Sequence, residues 1–90
     1  MKVLKIGAVW CPDCLVIKPR WKKIEDENTW LETEYYEYDE SAEIIKKYDL
    51  ENAEIPVFIF LDKTGEEIER LVGQYSEKQL LDKINELKDR

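Results

Sequence analysis

Two cysteines separated by two residues carry the clearest chemical signal in this 90-residue chain: Cys11 and Cys14, in the segment Trp10-Cys11-Pro12-Asp13-Cys14. If a helix opens at Pro12, Cys11 falls where unpaired backbone N–H groups and the positive end of the helix dipole meet, which favours thiolate over thiol. Cys11 is then the nucleophile. Cys14 lies one helical turn on and points back, so it is placed to attack a mixed disulfide at Cys11, release the reduced substrate and leave a Cys11–Cys14 disulfide. The same spacing fits half of a zinc site. With two cysteines and no histidine in the chain, a closed four-ligand site needs carboxylates or a second subunit, which argues against a metal.

The elements that position this pair are legible in the hydrophobic pattern. Val3–Val9 is short, mostly apolar and rich in branched residues, which suits a buried strand ending at the cysteines. Pro12 is suited to a first helical position. A helix from there to about Glu27 is expected to line one side with Leu15, Val16, Trp21 and Ile24, and Pro19 inside it is expected to kink it. Thr33–Tyr38 has a β-prone composition, and Ser41–Tyr48 places Ala42, Ile44, Ile45 and Tyr48 on a short amphipathic helix. Pro56 opens the unbroken apolar run Val57–Leu61, a central strand covered on both faces, and Asp62–Gly65 reads as a hairpin turn. Glu66–Leu71 is the returning strand, Gly73 a bend, and Ser76–Leu87 a helix with Ser76 and Gln79 at capping-box spacing and Leu80, Ile84 and Leu87 as its buried stripe.

The resulting order is β-α-β-α-β-β-α. The helical crossover makes the first strand pair parallel and the tight turn makes the last pair antiparallel. The expectation is one α/β domain over residues 1–90, a four-stranded mixed sheet with helices on both faces. The five tyrosines, Tyr35, Tyr36, Tyr38, Tyr48 and Tyr75, read as packing residues without chemistry.

Composition narrows the function. A 43% apolar share with 39% charge suits a folded domain rather than a disordered one. The net charge of −7 argues against a general nucleic-acid binder. Residues 1–24 nevertheless carry Lys2, Lys5, Lys18, Arg20, Lys22 and Lys23 against Asp13 alone. This basic segment either raises the potential around the cysteines and steers an acidic partner, or is a solvated helix face. Lys2 and Lys5 interrupt the first apolar stretch, so no secretory signal is read there, and no apolar run approaches the roughly 20 residues of a membrane helix. A cytoplasmic monomer is expected. In that reducing compartment a cysteine pair is more readily explained by catalysis than as a staple.

These landmarks together resemble the thioredoxin family. W-C-P-D-C is similar to the family's W-C-x-x-C, Pro19 follows the second cysteine by five residues as its helix-kinking proline does, Ile55-Pro56 looks like its cis-proline, and Val72-Gly73 matches its glycine before the last helix. The match spans residues 10 to 73, and the chain can be laid on the family's core without the extra N-terminal strand and helix of full-length members. The resemblance implies a cis bond at Pro56 opposite the cysteines, pairing of the Ile55 backbone with an extended substrate segment, and Trp10 as an apolar platform beside the disulfide. A packing role for Trp10 is compatible with this.

Two residues depart from the family pattern. Asp13 sits between the cysteines, where its charge opposes a Cys11 thiolate or else simply suits the first turn of a helix. Lys5 stands where similar thioredoxins carry a buried acid that deprotonates the second cysteine. A charged lysine cannot accept that proton; it either supports a thiolate or extends its ammonium to solvent. The acceptor for Cys14 is then solvent or a carboxylate such as Glu37.

The expected activity is reduction of protein or small-molecule disulfides, with electrons from a thioredoxin-reductase-like donor and no cofactor beyond the redox-active disulfide. Two alternatives stand beside it: a glutathione-dependent, glutaredoxin-like reductase, and a binding module using the groove without turnover. Glu54-Ile55-Pro56 differs from the Thr-Val-Pro of glutaredoxins, and Gly73-Gln74 lacks their paired glycines.

Overall fold

The computed structural model describes residues 1–90. Its elements are β1 (Lys2–Gly7), α1 (Pro12–Glu27), β2 (Glu32–Glu37), a 3-10 turn (Tyr38–Glu40), α2 (Ala42–Lys47), β3 (Val57–Leu61), β4 (Glu67–Val72) and α3 (Glu77–Leu87). The sheet order is β2-β1-β3-β4. β1 runs parallel to β2, with Lys5 opposite Tyr35 and Gly7 opposite Glu37. β3 is antiparallel to both β1 and β4. The expected mixed sheet with helices on both faces is what forms.

Alternation along the central strands supplies two cores, because successive residues of a strand face opposite sides. Val3, Phe58 and Phe60 face α1 and α3, where they meet Ile17, Trp21, Ile24, Leu80, Ile84 and Leu87. Leu4, Ile6, Val57, Ile59 and Leu61 face the other way, onto Ile45 of α2 and Leu50 beyond it. All five residues of β3 are buried, so its run needs no polar alternation. The edge strand β2 instead carries Glu32, Glu34 and Glu37, and charge on an edge discourages pairing with other chains.

Three expectations about orientation are corrected. Leu15 and Val16 are 59% and 44% exposed, and the buried stripe of α1 is Cys14, Ile17, Trp21 and Ile24. The helix is turned so that Cys14 faces the sheet, and each residue step rotates a side chain by about 100°. The first strand stops at Gly7 rather than Val9, because the chain turns there: the Cys11 amide donates to the Ala8 carbonyl at 3.2 Å and Val9 is left exposed. Ala42 is exposed rather than on a buried face, and Leu50 completes that contact instead. Residues 12–27 form one helix through Pro19.

The last helix is built as its sequence requires. Ser76 Oγ accepts from the Gln79 amide at 3.1 Å while Gln79 Oε1 accepts from the Ser76 amide at 2.9 Å. Ser76→Ala should therefore cost about 1 kcal/mol, and Ile84→Ala, which empties a fully buried site, about 2–5 kcal/mol. Urea denaturation of the two variants should give midpoints in that order below wild type.

Candidate active site

The cysteines meet three elements at the carboxyl end of β1. Cys11 is the N-cap of α1, with extended φ and ψ of −94° and 114°, and the Cys14 amide donates to its Sγ at 3.2 Å. Sulfur thus takes the place of the hydroxyl or carboxylate oxygen that usually satisfies an unpaired helix amide. Pro12 occupies N1, where no amide is needed. On its other side the Cys11 thiol points to the Ile55 carbonyl oxygen at 3.8 Å.

Ile55-Pro56 is a cis peptide, as the resemblance implied. Its turn is anchored to the bend after β4, since the Gly73 amide donates to the Pro56 carbonyl at 2.8 Å and Gly73 adopts a φ of +99° that L side chains rarely tolerate. Cys11, Ile55, Pro56 and Gly73 are therefore brought to one place. Trp10, 60% exposed, stands beside them with its Nε1 donating to Asp39 at 2.7 Å. Val9 and Val72, next in sequence to Trp10 and Gly73, are also exposed.

Cys14 faces inward. Its Sγ lies 3.2 Å from the position a side chain on Gly7 would take, and the ring and hydroxyl of Tyr35 lie 3.4 Å from the same point. Burial, the hydrogen bond with Cys11 and, to a smaller extent, the negative charge of Asp13 push the Cys14 thiol up to about 12. Cys14 therefore keeps its proton at neutral pH. Beside it is a cavity of about 80 Å³ bordered by Lys5, Gly7, Leu15, Trp21 and Tyr35 among others.

Lys5 is part-buried and its side chain borders the cavity beside Cys14. Its ammonium pairs with Glu25 of α1, which also accepts from Thr33 Oγ1 at 3.1 Å, and sits 5.8 Å above the Trp21 ring. Asp13 lies in the first turn of α1, and its carboxylate accepts from Gln74 Nε2 at 3.2 Å. Gln74 in turn accepts from Arg20, which also donates to the Tyr75 carbonyl at 2.9 Å. This chain ties the cysteine turn to the Gly73 bend, a link that nothing in the spacing of Asp13 and Gln74 announces. Much of the basic segment is neutralised locally, Lys22 by Asp26 and Lys23 by Glu77.

Glu37, named from sequence as a possible acceptor, approaches through Tyr35, whose hydroxyl donates to it at 2.9 Å. Its other oxygen accepts the Val9 amide at 3.0 Å. Tyr35 is 54% exposed, and partial desolvation of its hydroxyl together with the bond to Glu37 raises it above the usual tyrosine range. The tyrosine that sequence treated as packing is thus next to the inner sulfur, and only the β1–β2 register reveals it.

What this end of the sheet can do chemically is exchange a dithiol for a disulfide, which places the chain among the thiol-disulfide oxidoreductases built on the thioredoxin-like fold. A family model described as thioredoxin matches residues 1–79, and the chain belongs to the thioredoxin family. Among solved structures it is similar to the thioredoxin of Fasciola hepatica, at 28% identity and a TM-score of 0.86 over 96% of this chain and 79% of that one. It is also similar to thioredoxin NaTrxh from Nicotiana alata, at 26% identity and 0.83 over 96% and 71%. Mitochondrial thioredoxin 3 of Saccharomyces cerevisiae shares the fold, with a TM-score of 0.83 at 24% identity over 96% and 77%. No curated protein matches the chain. No helix is long and apolar enough to cross a membrane.

The raised Cys14 value has a consequence for stability. Between its ordinary value of 9.0 and about 12 the folded thiol keeps a proton that the unfolded chain has lost, so folding stability falls as pH rises through that window. In the reduced protein this fall should be shallower for Cys14→Ser, measured by denaturant titration from pH 8.5 upward.

Proposed function

We propose that the chain is a disulfide reductase in which Cys11 attacks and Cys14 resolves. The observation that carries this reading is the asymmetry of the two sulfurs: Cys11 accepts a helix amide and faces the Ile55-Pro56 turn, whereas Cys14 is turned onto Gly7 and held protonated. A thiol that stays protonated is a poor initial nucleophile. It becomes useful once a mixed disulfide at Cys11 is within reach.

In the first step the Cys11 thiolate bonds to one sulfur of the substrate disulfide and the other leaves as a thiolate. In the second, Cys14 gives up its proton and bonds to Cys11, expelling the remaining substrate sulfur as a thiolate, so the substrate gains two electrons and the protein becomes the disulfide. Trp10, Val9 and Val72 offer the apolar surface for a substrate segment, and the Ile55 backbone and Gly73 bound its groove. Protein or small-molecule disulfides are the substrates, and a thioredoxin-reductase-like enzyme in a reducing, cytoplasmic setting returns the electrons. No resident cofactor enters the cycle.

The test is reduction of a protein disulfide with NADPH and thioredoxin reductase, with glutathione and its reductase in a parallel arm. Wild type should turn over in the first arm. Cys11→Ser should fall to background, and Cys14→Ser should accumulate one substrate per chain as a mixed disulfide on Cys11. Full activity of Cys11→Ser, or turnover sustained only by glutathione, overturns the assignment.

A further inference from the structure

The geometry points to Tyr35 and Glu37 as the proton path for Cys14: as Cys14 attacks the mixed disulfide, its thiol proton passes to Tyr35 Oη while the Tyr35 proton moves to Glu37. This rests on the resolving role proposed above for Cys14 and supplies the acceptor that Lys5 cannot be.

Three observations converge on it. Cys14 Sγ and Tyr35 Oη lie 3.2 and 3.4 Å from the one point where Gly7 lacks a side chain, so both border the same space beside Gly7, and the proposed transfer crosses it through one bridging water. Tyr35 Oη already donates to Glu37 at 2.9 Å, the direction a relay requires. Glu37 is held in place by the Val9 amide and is only partly buried, so it can return the proton to water.

The other charged and titratable groups around the thiol have separate engagements or the wrong character. Lys5 of β1 is paired with Glu25, and Lys18 of α1 borders the cavity as a cation. Asp13 is bonded to Gln74, Asp39 to Trp10, and the Tyr38 hydroxyl to the carbonyls of Leu50 and Glu51. Cys11 is the sulfur under attack. Tyr35, raised above its usual range, remains protonated and acts as a bridge rather than as a base.

The step balances. The Cys14 sulfur pair forms the Cys14–Cys11 bond, the Cys11–substrate bond breaks with its electron pair on the departing sulfur, and the proton released by Cys14 appears as a proton gained by Glu37. The carboxyl then loses it to water.

Stopped-flow reaction of the reduced protein with one equivalent of 5,5′-dithiobis(2-nitrobenzoate) separates the steps, because each releases one coloured thiolate. The first release reports attack by one cysteine and the second reports resolution. In Tyr35→Phe and Glu37→Gln the ratio of second-phase to first-phase rate should fall at pH 7 by about 10²-fold, the lower end of what positioned proton transfer contributes. The deficit should close as pH approaches the range where Cys14 ionises unaided. The double variant should be no slower than the slower single one, since both groups serve one path. An unchanged ratio, or a deficit independent of pH, overturns the relay while leaving the Cys11 and Cys14 roles intact. Cys14→Ser should release only the first thiolate, and loss of that release in wild type instead removes the underlying disulfide-exchange reading.

Discussion

The first turn of α1 rests directly on the carboxyl end of β1, with Cys14 Sγ 3.2 Å from where a Gly7 side chain would begin. A methyl group there would crowd the sulfur and come into contact with Tyr35. The rest of the site depends on this approach. It buries Cys14, it turns α1 so that Ile17, Trp21 and Ile24 follow Cys14 into the core, and it aims Cys11 toward the Ile55-Pro56 turn. One missing side chain thereby couples helix packing to the difference between two thiols three residues apart.

The approach is tolerable because the sheet beneath is rigid. β1 and β3 are central, and their residues are shared between two apolar layers. Burying a large aliphatic or aromatic side chain contributes about 1.5–3 kcal/mol, and Phe58 and Phe60 on one side face opposite to Val57, Ile59 and Leu61 on the other. Displacement of either strand would therefore disturb both layers. The cis-proline turn is fixed to this frame through the Gly73 amide, and the cysteine turn is fixed to the same bend through Asp13, Gln74 and Arg20. The cysteine turn and the Ile55-Pro56 turn are thereby both tied to the Gly73 bend by hydrogen bonds.

Charge is handled at the margins of this frame. The Lys5 ammonium is paired with Glu25 and lies over the Trp21 ring, so a lysine in the middle of a central strand requires no buried unpaired charge. Trp21 itself is 2% exposed, packs on Phe58 with ring centroids 5.3 Å apart, and borders the cavity beside Cys14. The acidic groups closest to the dithiol, Asp13, Glu37 and Asp39, are each tied to a named donor. Their positions are set by hydrogen bonds as well as by solvent.

Sequence alone determined the features that depend on local order. The β-α-β-α-β-β-α succession, the helix from Pro12 to Glu27, the strand Val57–Leu61 and the Ser76–Gln79 capping box follow from periodicity, proline position and cap spacing, and each is where those rules place it. The cysteine pair was legible for the same reason, as was the resemblance carried by Pro19, Pro56 and Gly73. Tertiary structure decided what depends on contacts between distant segments. The rotation of α1, which exposes Leu15 and Val16, is set by packing against the sheet, because those residues are as apolar as the ones buried. The partner of Lys5 is set by the placement of α1 over β1. The nearness of Tyr35 to Cys14 follows from the β1–β2 register, and a shift of one residue would have turned Tyr35 to the opposite face. The cysteine pair was written in four consecutive residues; the gathering of Tyr35 and Glu37 beside it exists only once the strands are aligned.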